Sequence, residues 1–220
     1  MSPHQSVYTA FMSRREITAA AEAEFFDGVR HAAEFFMGKA DVHRALEMLA
    51  QRLEQLDIPY AIVGAMAMNE YGYRRVTEDV DVLLTREGLD RFKEHWLGRG
   101  YVEKVPGSRG LRDTENGVPV DIVVTGDYPG DGRPKPVAFP DPADHARRGE
   151  RVRLLPLHKL IELKLASGMS APHRLRDLAD VLELIRVSDL PLELAADLDA
   201  SVQEKYRELW HAAHESHDDE

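Results

Sequence analysis

Asp79, Asp81 and Asp121 are the residues of this 220-residue sequence whose type and spacing point most directly to chemistry. Asp79 and Asp81 stand one residue apart in the run Asp-Val-Asp-Val-Leu-Leu over 79–84, and Asp121 stands inside the run Gly-Val-Pro-Val-Asp-Ile-Val-Val over 117–124. Both runs read as β-strands, whose side chains alternate between faces. Asp79, Asp81 and Leu83 then share one face of the first strand, opposite Val80, Val82 and Leu84. On the second strand Val118, Val120, Ile122 and Val124 make an apolar face, with Asp121 and Val123 opposite. If the strands are neighbours, three carboxylates meet on one patch. Like charges that close repel and raise each other's pKa unless a cation neutralises them. Hard divalent cations with oxygen ligands, Mg²⁺ above all, are the natural partners. A single aspartate on a half-exposed sheet is ordinarily just solvated; a pair plus a third of matching parity favours a metal.

The elements that must position these residues follow from periodicity. Val42, Leu46, Leu49, Leu53 and Leu56 recur at helical spacing over 41–56, behind Asp41 as candidate N-cap. Residues 59–64 form a short apolar strand ending at Gly64, and a helix follows from Ala65 to Tyr71. A strand–Gly–helix junction offers free backbone N–H groups and a positive dipole end to an anion, although most such glycines simply make tight turns. This one lies 15 residues before Asp79, in a run that also holds Arg75 and Thr77. A helix is expected over 86–98, with Leu89, Phe92, Trp96 and Leu97 inward and its end at Gly98 or Gly100. Short β pieces follow at 101–105 and 109–114. Residues 128–142 hold five prolines and two glycines and read as a loop. Residues 151–155 read as an edge strand. Pro156 opens the first of three helices, over about 156–167, 173–187 and 192–214. Residues 15–37, rich in Ala and Glu, suggest a helix within an N-terminal extension over 1–40.

Composition narrows the function classes. The balance of 28 basic and 39 acidic residues leaves a net charge of −11, which disfavours extended nucleic acid as a partner because non-specific binding is mostly phosphate neutralisation. There is no cysteine, hence no disulfide, thiolate metal site or cysteine nucleophile. No apolar run approaches the roughly 18 residues of a membrane span, and the N-terminus lacks a signal-peptide pattern. A cytoplasmic protein is the expectation. No P-loop, H-E-x-x-H, G-x-S-x-G or G-x-G-x-x-G pattern is present.

Read as Gly64-Ala65, then Gly72-x-x-Arg75-x-Thr77-x-Asp79-Val80-Asp81, then Asp121 on a later strand, the chain resembles nucleotidyltransferases of the DNA polymerase β-like superfamily. Among these it is most similar to the minimal bacterial group that includes the AbiEii-type toxins of toxin–antitoxin systems. Residues 153–185 resemble that group's helical segment, in which a lysine precedes an Arg-x-x-Asp-Leu run; the likeness spans roughly 42–187. It implies an α/β (α+β) fold: a mixed sheet flanked by helices over 41–155, and a mainly helical part over 156–220. It implies a nucleoside triphosphate (NTP) as substrate, Mg²⁺ as a two-ion site, and transfer of a nucleoside monophosphate to an acceptor hydroxyl on tRNA, a protein or a small molecule. In that pattern Gly64 and Ala65 match the phosphate-binding turn, Asp79 and Asp81 the Mg²⁺-binding pair, and Asp121 the third carboxylate, which helps activate the acceptor. The family usually has Gly or Ser at the second turn position; Ala65 keeps the backbone N–H but loses a hydroxyl. The alternative implied by the same likeness is a non-catalytic binding protein, or a toxin-like module docking a small antitoxin-like partner.

Four other groups carry open readings. Lys164 shares a helical face with Leu157, Leu160 and Ile161, so its stem either snorkels along the core edge or reaches a phosphate in a cleft. Arg75 is either a structural partner of the carboxylates or a nucleotide contact. Arg174 with Asp177, and Arg176 with Asp180, are at surface-pairing distance along a helix, while Arg174 also matches a cleft position of the family. His211, His214 and His217 repeat at i, i+3, i+6 near an acidic tail, where a frayed helix end outweighs a metal site.

Overall fold

Packing begins with the helix at 41–55 (α1), whose Val42, Ala45, Leu46, Leu49, Ala50 and Leu53 form the buried stripe that the apolar spacing predicts. A computed structural model describes residues 41–215; the expected helix at 15–37 and His217 lie outside the described residues. Asp41 is itself helical and is therefore not the N-cap.

The chain continues through β1 (Tyr60–Ile62), α2 (Gly64–Glu70), β2 (Val80–Leu84), α3 (Arg86–Trp96), β3 (Tyr101–Glu103), β4 (Leu111–Asp113) and β5 (Pro119–Val124). A proline-rich loop leads to α4 (Pro142–His145), β6 (Arg147–Arg148) and β7 (Arg153–Leu154). The rest is helical: α5 (Leu157–Ser170), a 3₁₀ turn (Pro172–Arg174), α6 (Leu175–Val187), a 3₁₀ segment (Leu192–Asp197) and α7 (Gln203–Glu215). Seven strands form one mixed sheet in the order β3-β4-β5-β2-β1-β7-β6. The α/β class, with a mixed sheet, flanking helices and a mainly helical C-terminal part, is as expected. Among the described residues no helix is long and apolar enough to cross a membrane.

The centre of the sheet is the parallel pair β2–β5. Val80, Val82 and Leu84 lie beside Val120, Ile122 and Val124, all buried. Asp81 is paired with Asp121 in the same register, as the parity of the two runs requires if they are neighbours. Thr85 caps α3, its hydroxyl accepting from the Gly88 N–H at 3.0 Å. The helix buries Leu89 and Phe92 and ends at Trp96, two residues before the expected stop, because Leu97 is extended.

Three expectations need correction. The 151–155 strand is not an edge: β7 lies between β1 and β6, and the two-residue β6 closes the sheet. The helix expected over 192–214 is two pieces. Leu198 is extended, and Val202 accepts no place in either helix but is buried with Leu198 in the core, so apolar periodicity continues across a break in the backbone. Finally, parity alone does not hold the aspartates out of the core. Leu83 shares their face and is fully buried. Asp79 and Asp81 stay partly open at the entry of β2, whereas Leu83 and Leu84 at its other end are fully buried.

Candidate active site

The strand register brings the three carboxylates together. Asp79, Asp81 and Asp121 each offer an oxygen, and these oxygens lie within 4.8 Å of one another. Among the described residues no other histidine or carboxylate cluster of three converges in this way. His214 instead stacks on Trp210, with ring centroids 3.9 Å apart.

Each aspartate has a different neighbourhood. The Thr77 hydroxyl donates to Asp79 Oδ1 at 2.5 Å. Lys104, on the β3–β4 hairpin, donates to Asp121 Oδ1 at 2.7 Å. Asp81 faces Gly64, the first residue of α2. A Cβ at Gly64 would stand 1.9 Å from Asp81 Oδ2, and the residue has φ +62°. Gly64 is thus fixed by two demands at once: a left-handed backbone and room for a carboxylate. Ala65 behind it is buried. Burial first, and then the charges of Asp79 and Asp121, push the Asp81 carboxyl up to about 7, against the opposing pull of Lys164 and Arg75. A partly buried acid at neutral pKa between two other carboxylates is a site short of positive charge.

These residues floor a cleft of about 530 Å³, within the range of small-molecule sites. Gly64, Ala65, Arg75, Thr77, Lys164 and Arg174 all line it together with the three aspartates. The far wall comes from α5 and α6. Lys164 neither snorkels nor stands free: its ammonium lies 2.7 Å from Asp180 Oδ2 and 2.9 Å from Asp177 Oδ1. Arg75 does not pair with the three aspartates; its Nη1 lies 2.8 Å from the same Asp180 Oδ2. Asp180 is only 2% exposed, so the surface pairing expected for Arg176–Asp180 gives way to a buried ion triad. Asp177 likewise turns inward, accepting the Ser167 hydroxyl at 2.6 Å. Burial alone would raise its pKa, yet the Lys164 charge and the Ser167 bond hold it below the usual carboxylate range. Arg174 is exposed at the rim, where its charge also lowers Asp177.

Sequence reading missed Asp177 as a cleft residue and Asp180 as the buried partner of Arg75 and Lys164, and Lys104, Arg109 and Asp127 altogether. Arg109 pairs with Asp127 at the cleft wall, beside Tyr128 and Phe139. The partners of Arg75 and Lys104 lie 105 and 17 residues away, beyond any local spacing rule. Three hard oxygen donors and a surplus of negative charge fit a divalent cation held by Asp79, Asp81 and Asp121.

No family model and no curated protein matches this chain. Among solved structures it is similar to TM1012, a candidate nucleotidyltransferase from Thermotoga maritima, at 18% identity and TM-score 0.45, over 64% of this chain and 91% of that one. It is similar to ANT(2″)-Ia in complex with adenylyl-2″-tobramycin at 15% identity and TM-score 0.46, over 79% and 98%. It is similar to JHP933 from Helicobacter pylori at 17% identity and TM-score 0.43, over 81% and 93%.

Proposed function

We propose that the cleft binds an NTP with Mg²⁺ and transfers its nucleoside monophosphate to an acceptor hydroxyl. One observation carries this reading: three carboxylates converge within 4.8 Å at the floor of a cleft whose opposite wall holds Arg75, Lys164 and Arg174. The negative floor suits a triphosphate bridged to the protein by metal, and Arg174, exposed at the rim, offers a direct cation contact from the other side.

In this reading Asp79, Asp81 and Asp121 hold the metal, which when bound neutralises charge developing at the α-phosphoryl group. Asp121 accepts the proton of the acceptor hydroxyl. The acceptor oxygen forms a bond to the α-phosphorus as the bond from that phosphorus to the β-phosphate bridging oxygen breaks, and pyrophosphate leaves with the electron pair. Lys164 and Arg174 orient the departing phosphates. No covalent enzyme intermediate is required; positioning and electrostatics supply the rate.

The spacing from Gly64 to Asp81 and the segment at 153–185 support a place near the minimal bacterial AbiEii-type group. Co-expression of a small neighbouring-frame protein that relieves growth arrest tests that finer assignment. The chemistry is tested directly by incubating the protein with labelled NTPs, Mg²⁺ and a panel of acceptors comprising tRNA, protein and small antibiotics. Labelled acceptor and stoichiometric pyrophosphate are expected. Unchanged transfer by Asp79→Ala would sink the assignment.

A further inference from the structure

Lys104 reaches Asp121 along a path the sheet has cleared for it. Glu103 pairs with Leu111 and Leu111 with Val120, so the next positions, Lys104, Gly110 and Asp121, form one row across β3, β4 and β5. The Lys104 N–H donates to the Gly110 carbonyl at 2.9 Å, which fixes the first step of that row. Asp81 continues it, paired with Asp121. Gly110 is not among the glycines of positive φ, so its backbone makes no demand for glycine. A Cβ there would stand 2.9 Å from Lys104 Cδ and 3.5 Å from Asp121 Oδ1, so a side chain at this position would displace the lysine stem from its present path. The missing side chain is the groove through which the lysine stem crosses one strand to reach the carboxylate on the next. An ordinary surface ion pair needs no such gap.

From this row we infer that Lys104 is a tethered counter-ion of Asp121 that competes with the divalent cation, so that the Asp79–Asp81 side loads first and Asp121 joins only as Lys104 is displaced. The inference rests on the metal reading of the carboxylate cluster. Lys104 acts through Asp121, as a positioning residue. Its consequence is ordered metal loading, with the Asp121 corner kept neutral until a second ion arrives.

The test is a Mn²⁺ titration of the full chain without nucleotide, with free Mn²⁺ followed by electron paramagnetic resonance. Lys104→Met is expected to bind its second ion about three- to tenfold more tightly than the wild type. Lys104→Arg, which keeps the charge, is expected to follow the wild type. Gly110→Ala, which keeps Lys104 but fills its path, is expected to move with Lys104→Met. Superimposable curves for the wild type and Lys104→Met, in proteins that do bind Mn²⁺, overturn this inference and leave the metal reading standing. No Mn²⁺ binding by any of the four proteins overturns both.

Discussion

The cleft has two charged walls that solve the same electrostatic problem in opposite ways. On the helical wall, Arg75 and Lys164 meet Asp177 and Asp180, two cations against two anions, with both cations on one oxygen of a carboxylate that is 2% exposed. On the strand wall, Asp79, Asp81 and Asp121 meet one ammonium among the described residues, that of Lys104. The first wall is complete as the chain folds; the second is short of positive charge. Charge closure marks the part of the cleft that holds shape, and charge deficit marks the part where the proposed metal would sit.

The largest test of this contrast is Asp180→Asn. Removing the shared carboxylate leaves two cations side by side against an amide, and breaking a buried ion network by one partner costs about 3–5 kcal/mol. Urea unfolding reads that loss directly; a change under about 1 kcal/mol would mean that the triad is solvated and the contrast false.

Asp81→Asn moves the other way. In the metal-free protein, burial and the charges of Asp79 and Asp121 hold Asp81 at about 7, so the folded state keeps a proton that the unfolded chain releases near 3.8. Stability from this group is therefore full below about pH 4 and lost as the pH rises through 7. Asparagine has no such charge to bury, so the variant is expected to be roughly 2 kcal/mol more stable than the wild type at pH 8 without metal. Added Mg²⁺ is expected to stabilise the wild type and not the variant. Thermal midpoints from pH 5 to 8, with and without Mg²⁺, check the sign. A wild-type midpoint that does not fall with pH in the metal-free series removes the deficit from the argument.

The smallest expected effect is Thr77→Val. It deletes one hydroxyl that donates to Asp79, on a wall whose charges still lack cations, and costs about 1 kcal/mol. A much larger loss would show that the strand wall has its own internal closure.

What the sequence makes legible on these walls follows the same division. The aspartate floor is written in strand parity, and the β2–β5 register places Asp81 against Asp121 as that parity requires. The stripe on α1 is equally local. The helical wall is not local. Arg174–Asp177 and Arg176–Asp180 have good helical spacing, but the actual partners of the two aspartates are Lys164 and Ser167 on α5, and Arg75 in the loop before β2. Side-chain spacing along one helix says which residues are neighbours there, and nothing of which helix turns its charges inward. The split of the 192–214 segment was hidden for a related reason: Leu198 and Val202 keep an apolar pattern while the backbone between them leaves the helix.

The loop that leads into Asp79 is fastened at its start and in its middle to α6 and its C-cap, by the Ser188 hydroxyl to the Tyr71 carbonyl across 117 residues and by Arg75 to Asp180 across 105. Closing such long loops is slow, because their entropy is lost before the contacts that reward it can form. On a ribosome the segment carrying the aspartates emerges long before its fasteners. Closure of the cleft is therefore deferred until α6 has been made and docked, and a nascent or interrupted chain would carry the carboxylates without the helical wall that faces them.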